Sequence, residues 1–208
     1  MFLVALTGNY GMGKSSVLAL FGKLGAFVLD SDQIVRVLLE DPAVVNIVTR
    51  LSGQSVLAED GSLNREKLAE IVFRDDLLRH SLEDVLHPLV FEKMDNLLAA
   101  AETENTISVV EVPLLFERGY ENRFDRTVTV FTDEETAIRR LEAKAIAYEQ
   151  ASLRLKTQLP IEEKKKRADF LIDNSGTPQE TEEQVKTVYI KLVEEADDGN
   201  HTRTRKSR

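Results

Sequence analysis

Near its amino end the chain reads Gly8-Asn9-Tyr10-Gly11-Met12-Gly13-Lys14-Ser15: glycine, four residues, glycine, lysine, serine. No other stretch constrains the fold as tightly, because each residue type meets a demand of one kind of site. Glycines let successive backbone N–H groups turn into one concave nest, the lysine reaches outer phosphate oxygens, and the hydroxyl beside it suits Mg²⁺. The flanks agree with that reading. Phe2 to Leu6 is a short apolar run that predicts a buried strand. After Lys14 the apolar Val17, Leu18, Phe21 and Leu24 recur at helical spacing, and Gly25 stands where a helix end is often closed. A helix beginning near Lys14 directs the positive end of its dipole at the same nest.

Further strands are expected at Ala26 to Leu29, Ile107 to Val112, Thr127 to Phe131 and Phe170 to Ile172. Five strands spread over the whole chain predict one α/β sheet with helical segments inserted into it. Between Asp32 and Ala101 helical periodicity dominates, punctuated by Pro42, Gly53, Gly61 and Pro88, and the pair His87-Pro88 reads as a helix boundary. The last helix carries its own start signal: Thr177 as N-cap, Pro178 in the first turn and Glu180 three residues after the cap.

Composition removes whole classes of function. None of the 208 residues is cysteine, so thiolate metal sites, disulfides and cysteine nucleophiles are excluded. The net charge is −9, yet residues 139–167 hold nine basic side chains against four acidic ones and the tail 201–208 adds four more basic ones. An acidic body argues against binding a nucleic-acid backbone. No apolar run is long enough for a membrane span, and the first residues lack the basic start and cleavage pattern of a leader, so a cytoplasmic protein without a membrane partner is expected. The expected state is a monomer or weak oligomer.

A nucleoside triphosphate site still leaves several activities open. A GTP switch needs Asp-x-x-Gly after its third strand and Asn-Lys-x-Asp for guanine; the chain has only Asp173 to Gly176, far too late, and lacks the second motif. A helical insertion directly after the second strand favours a small-molecule kinase. Asp32, in Asp30-Ser31-Asp32, is a candidate base for an attacking hydroxyl or a helix N-cap. Glu111, closing the third strand, is a candidate to hold Mg²⁺ through water or a solvated strand end. Arg140 and Arg154 are candidate phosphate forks or surface arginines.

Taken together the residues resemble the dephospho-CoA kinase family. The resemblance rests on Leu6-Thr7-Gly8 through Lys14-Ser15-Ser16, Leu24-Gly25, Val28 to Asp32 with Arg36, and Gly61 through Leu63, Arg65, Leu68 and Val72-Phe73. It continues in Leu82-Glu83 through His87-Pro88, Val112-Pro113-Leu114-Leu115-Phe116-Glu117, Arg154 with Gln158, and Ala168-Asp169 through Asn174 and Gly176. The resemblance implies a P-loop NTPase-like parallel five-stranded sheet flanked by helices. Its core is expected at about 1–30, 106–139 and 168–196, a helical acceptor-binding part at about 31–105, a lid at about 140–167 and a flexible tail at 197–208. It also implies transfer of the γ-phosphate of ATP to the ribose 3′-hydroxyl of dephospho-CoA. Asp32 would be the base, with Lys14 and Arg140 on the transferring group and Ser15 and Glu111 on Mg²⁺. ATP contacts would fall on Gly8, Asn9, Gly11, Met12, Gly13, Lys14, Ser15, Ser16, Arg154 and Asn174. The acceptor side would include Asp32, Arg36, His87, Leu114 and Glu117. The chain departs from the family's habit at Lys144, often arginine, and at Glu111, commonly aspartate, which leaves the lid contact open among Arg140, Lys144 and Arg154. Another small-molecule P-loop kinase and a non-catalytic nucleotide-binding regulator are the alternatives.

Overall fold

Five parallel strands in the order β2-β3-β1-β4-β5 form the sheet: β1 (Phe2–Thr7), β2 (Phe27–Asp30), β3 (Ile107–Glu111), β4 (Arg126–Phe131) and β5 (Phe170–Asp173). The computed structural model describes residues 1–52, 56–72, 74–101, 107–143, 146 and 155–198. These divide into two compact units, one of residues 1–30 with 100–208 and one of residues 31–99.

In the first unit β1 is central and buried along its whole length. A parallel strand covered on both faces needs a continuous apolar run rather than alternation, which is what Phe2-Leu3-Val4-Ala5-Leu6 supplies. Helix α1 (Lys14–Lys23) and the last helix, α8 (Pro178–Asp197), contribute Val17, Phe21, Val185, Val188 and Leu192 to one cluster with Phe2, Val4, Leu6, Val109 and Val128. Each fully buried Phe or Leu side chain there stabilises by about 2 kcal/mol. Helix α1 stops cleanly. Gly25, at φ 101°, lets its N–H reach Gly22 O at 3.1 Å and the Ala26 N–H reach Phe21 O at 3.1 Å, the paired bonds of a Schellman closure. Helix α8 starts as expected, with Thr177 and Glu180 exchanging both bonds of a capping box.

Sheet order explains where a ligand can sit. The chain leaves β1 toward β2 on one side and leaves β3 toward β4 on the other, so β1 and β3 flank the switch point. Register brings Leu6 and Asp30 level with Glu111, so three carboxyl ends meet at the edge where the glycine-rich loop departs.

The second unit contains helices α2 (Ser31–Leu38), α3 (Pro42–Ser52), α4 (Arg65–Val72) and α5 (Asp76–Ala101), whose last two residues belong to the first unit. Its core joins Val44, Val48, Val56, Leu63, Leu68 and Leu82, and Leu57 and Leu63 form an isolated antiparallel bridge. The expected boundary at His87-Pro88 is absent, because α5 runs through Pro88 without a break. A proline inside a helix removes one backbone bond. Buried Leu82 before it and Val90, Met94 and Leu98 after it hold one continuous element regardless. Helices α6 (Glu134–Glu142) and α7 (Ile161–Arg167) also belong to the first unit. Among the described residues no helix is long and apolar enough to cross a membrane.

Candidate phosphoryl-transfer site

Gly13 is the residue from which α1 springs, at φ 84°, and it brings no side chain to occupy the first N–H groups of that helix. Those groups, with the positive end of the helix dipole, are left for an anion. Lys14 is buried, its Nζ 3.4 Å from Asn9 O and 3.7 Å from Glu111 Oε1. Glu111 is itself buried at the end of β3. The ammonium therefore bridges the loop to the neighbouring strand end, where it can turn to a phosphate oxygen. Ser15 and Ser16 are exposed in the first turn of α1.

A second layer closes over the loop from the far end of the sequence. Asn174, just after β5, donates through Nδ2 to Met12 O at 2.9 Å and accepts at Oδ1 from the Thr181 hydroxyl at 3.0 Å. The hydroxyl orients the amide, so its nitrogen faces the loop. The Asn174 carbonyl in turn accepts from Arg140 Nη2 at 2.9 Å. Arg140 Nη1 is buried without a hydrogen-bond partner among the described residues and lies 3.4 Å from where a Cβ on Gly13 would stand. A guanidinium held by one nitrogen, with another turned toward the start of α1, can offer a charged donor to an anion there.

The outer rim of the loop is gripped by residues that precede α7. Gln158 Oε1 accepts from the Tyr10 N–H at 2.9 Å, and Leu159 O accepts from Asn9 Nδ2 at 3.1 Å. Leu159 N donates to Glu117 Oε1 at 2.8 Å, and the same oxygen takes Lys164 Nζ at 2.8 Å. Lys164 has no exposed surface; burial pushes its ammonium below the ordinary lysine range, Glu117 opposes that shift and Lys14 adds to it.

The basic segment 139–167 holds the candidate cations for transfer, Arg140, Lys144 and Arg154, together with the charges of α7. On α7 these charges are already engaged: Lys164 with Glu117, Lys165 with Glu162 and over the Phe131 ring, Lys166 with Glu163, and Arg167 with Glu121 and over the Phe116 ring. Lys164 was not singled out, although helical spacing from half-buried Ile161 does place it on the inner face. The Leu159 backbone carries no local signal, because its partners Asn9 and Glu117 lie 150 and 42 residues away, whereas Thr181 meets Asn174 across only seven.

The structure thus brings Gly8, Asn9, Gly11, Met12, Gly13, Lys14, Ser15, Ser16, Glu111, Arg140 and Asn174 into the first unit, with Leu114 and Glu117 in the turn after β3. Asp32, Arg36 and His87 belong to the second. Asp32 and Arg36 are exposed, four residues apart on α2, and Asp32 lies within the first turn rather than ahead of it. His87 is half-buried, and desolvation holds its imidazole below the usual value while Asp84 pulls the other way. Lys144 and Arg154 lie outside the described residues.

Comparison with known proteins adds what geometry does not. A family model described as dephospho-CoA kinase matches residues 2–180. A dephospho-CoA kinase from Aquifex aeolicus is 37% identical over 191 residues, covering 91% of this chain and 97% of that one. A solved structure from Thermus thermophilus superposes with a TM-score of 0.80 at 34% identity, covering 92% and 97% of the two chains. A dephospho-CoA kinase from Campylobacter jejuni does so at 0.65 and 27%, covering 95% and 98%.

Proposed function

The chain belongs to the dephospho-CoA kinase family, and from that premise we propose that it transfers the γ-phosphoryl group of ATP to the ribose 3′-hydroxyl of dephospho-CoA, giving coenzyme A and ADP. One bond forms, from the ribose 3′ oxygen to the γ-phosphorus, and one breaks, from that phosphorus to the oxygen bridging it to the β-phosphate. The hydroxyl proton goes to Asp32, a carboxylate two residues beyond the end of β2. Because Asp30 pairs in register with Glu111, that strand end is level with the acid beside Lys14.

Lys14 and Arg140 carry the electrostatic part. In such a transfer negative charge spreads over the equatorial oxygens, and fixed cations in a site shielded from water stabilise it most. The observation that carries the reading is Arg140: Nη2 tied to Asn174 O, Nη1 buried beside Gly13 with no hydrogen-bond partner among the described residues. A regulator that only bound nucleotide has no need of such a group. Ser15 and Glu111 are oxygen donors of the kind Mg²⁺ takes, the hydroxyl at the exposed start of α1 and the acid at the end of β3. Magnesium, when bound there, supplies positive charge that offsets the β- and γ-phosphates. His87 and Leu114 are assigned to the acceptor by the family resemblance.

ADP release with ATP and Mg²⁺ tests the proposal, with dephospho-CoA compared against adenosine, AMP, shikimate and no acceptor. Release stimulated by dephospho-CoA alone is expected. Acceptor-independent hydrolysis, or a response to another hydroxyl compound instead, would overturn it.

A further inference from the structure

We infer that Glu117 and Lys164 form a buried positioning pair that sets the rim of the phosphate loop for ATP; the inference rests on the kinase reading above. Glu117 Oε1 is shared between Lys164 Nζ and the Leu159 N–H, both at 2.8 Å. From Leu159 the connection runs to Asn9, whose side-chain nitrogen donates to Leu159 O at 3.1 Å, and from Asn9 O to Lys14 Nζ at 3.4 Å. Gln158, held in the same turn, takes the Tyr10 N–H at 2.9 Å. Lys164 Nζ also donates to Pro113 O at 2.9 Å, a carbonyl that accepts the Thr7 hydroxyl at 3.3 Å. One ammonium and one carboxylate oxygen therefore fasten together the end of β1, the turn after β3 and the segment that grips Asn9 and Tyr10.

The chemistry of the pair fits placement better than stability. Two buried charges recover little more than their desolvation cost, and apolar residues of equal volume stabilise as well, but an ion pair with two further hydrogen bonds fixes direction. The family resemblance assigns Glu117 to the acceptor side. Its Oε1 is committed within the protein, and its Oε2 is buried without a hydrogen-bond partner among the described residues. The two roles predict different substrates to suffer when Glu117 changes.

Steady-state kinetics of the full chain, with ATP and dephospho-CoA varied separately, separates them. Glu117→Gln removes the charge that opposes the desolvation of Lys164, and is expected to raise KM for ATP about tenfold while KM for dephospho-CoA stays within about twofold. Gln158→Ala, which leaves the buried pair intact, is expected to raise KM for ATP about threefold while lowering the melting temperature by no more than about 2–4 °C. The combined Glu117→Gln and Lys164→Met variant leaves no buried charge, so it is expected to melt above either single variant yet retain the raised KM for ATP. A Glu117→Gln variant that loses dephospho-CoA affinity with ATP affinity intact would overturn the inference, as would a combined variant with wild-type kinetics. If the unmodified chain shows no turnover of dephospho-CoA, the kinase reading fails. Calorimetric ATP titration of the same variants then decides the positioning role, supported by weaker binding and overturned by equal binding.

Discussion

Replacing Gly13 by alanine tests the geometry of the loop most sharply. The backbone there sits at φ 84°, where an L-residue costs about 1–2 kcal/mol. The new Cβ would also fall far inside contact distance of Asn174 Nδ2, with Asn174 Cγ only 3.5 Å away. Asn174 has nowhere to go without losing its 2.9 Å bond to Met12 O and its 3.0 Å bond from Thr181, at about 1 kcal/mol each. The sum is about 3–4 kcal/mol, which for a chain of this size lowers the melting temperature by about 10 °C. The chain has no tryptophan, so circular dichroism is the suitable probe. The decisive comparison is with Asn174→Ala. In that background the obstructing amide is gone, and Gly13→Ala should cost only the strain of about 1–2 kcal/mol, a coupling of about 2 kcal/mol across the double-mutant cycle. An equal penalty in both backgrounds would refute the claim that Asn174 and Gly13 are fitted to each other.

Other expectations follow from the same structure. Asp32→Asn should leave ATP affinity within about twofold while turnover falls about 10²–10⁴-fold; comparable turnover would remove Asp32 from the base role. Arg140→Lys keeps the charge but loses the fork between Asn174 O and the loop, so single-turnover transfer should slow about tenfold or more; an unchanged rate would show that the fork is idle. His87 is held below the imidazole value of 6.5 by burial, so the unfolded chain takes up its proton first as pH falls. Stability should therefore decline as pH drops through 6.5, and His87→Gln should flatten that decline in thermal melts; an unaltered slope would place the titration elsewhere.

The legible parts of this chain are those where neighbours in sequence are neighbours in space. The glycine-rich loop is read within eight residues, the Thr177 to Glu180 capping box within four, and the apolar run of β1 within six. Pro88 marks the limit of such local rules: a proline predicts a stop, and a buried stripe from Leu82 to Leu98 overrides it. Lys164 marks another limit. Within Lys164-Lys165-Lys166-Arg167 helical spacing can say which charge turns inward but not its partner, and the packing of α7 buries the first fully against Glu117 while Lys166 stays exposed. The Asn174 clasp was equally hidden, since it joins residues 162 positions apart to orient a group in the loop. Fork chemistry brings Arg140 and Arg154 forward from nine similar cations, and for Arg140 the structure adds its tether and a nitrogen with no hydrogen-bond partner among the described residues.

The position of the transferred phosphate tests the central claim most directly. The product formed from ATP and dephospho-CoA would be isolated, its mass taken, and its phosphorus located by coupling to the ribose protons in NMR. The account predicts a gain of one phosphate, coupled to the proton on the 3′ carbon. Phosphate at any other position, or dephospho-CoA recovered unchanged while ATP binds, would contradict it.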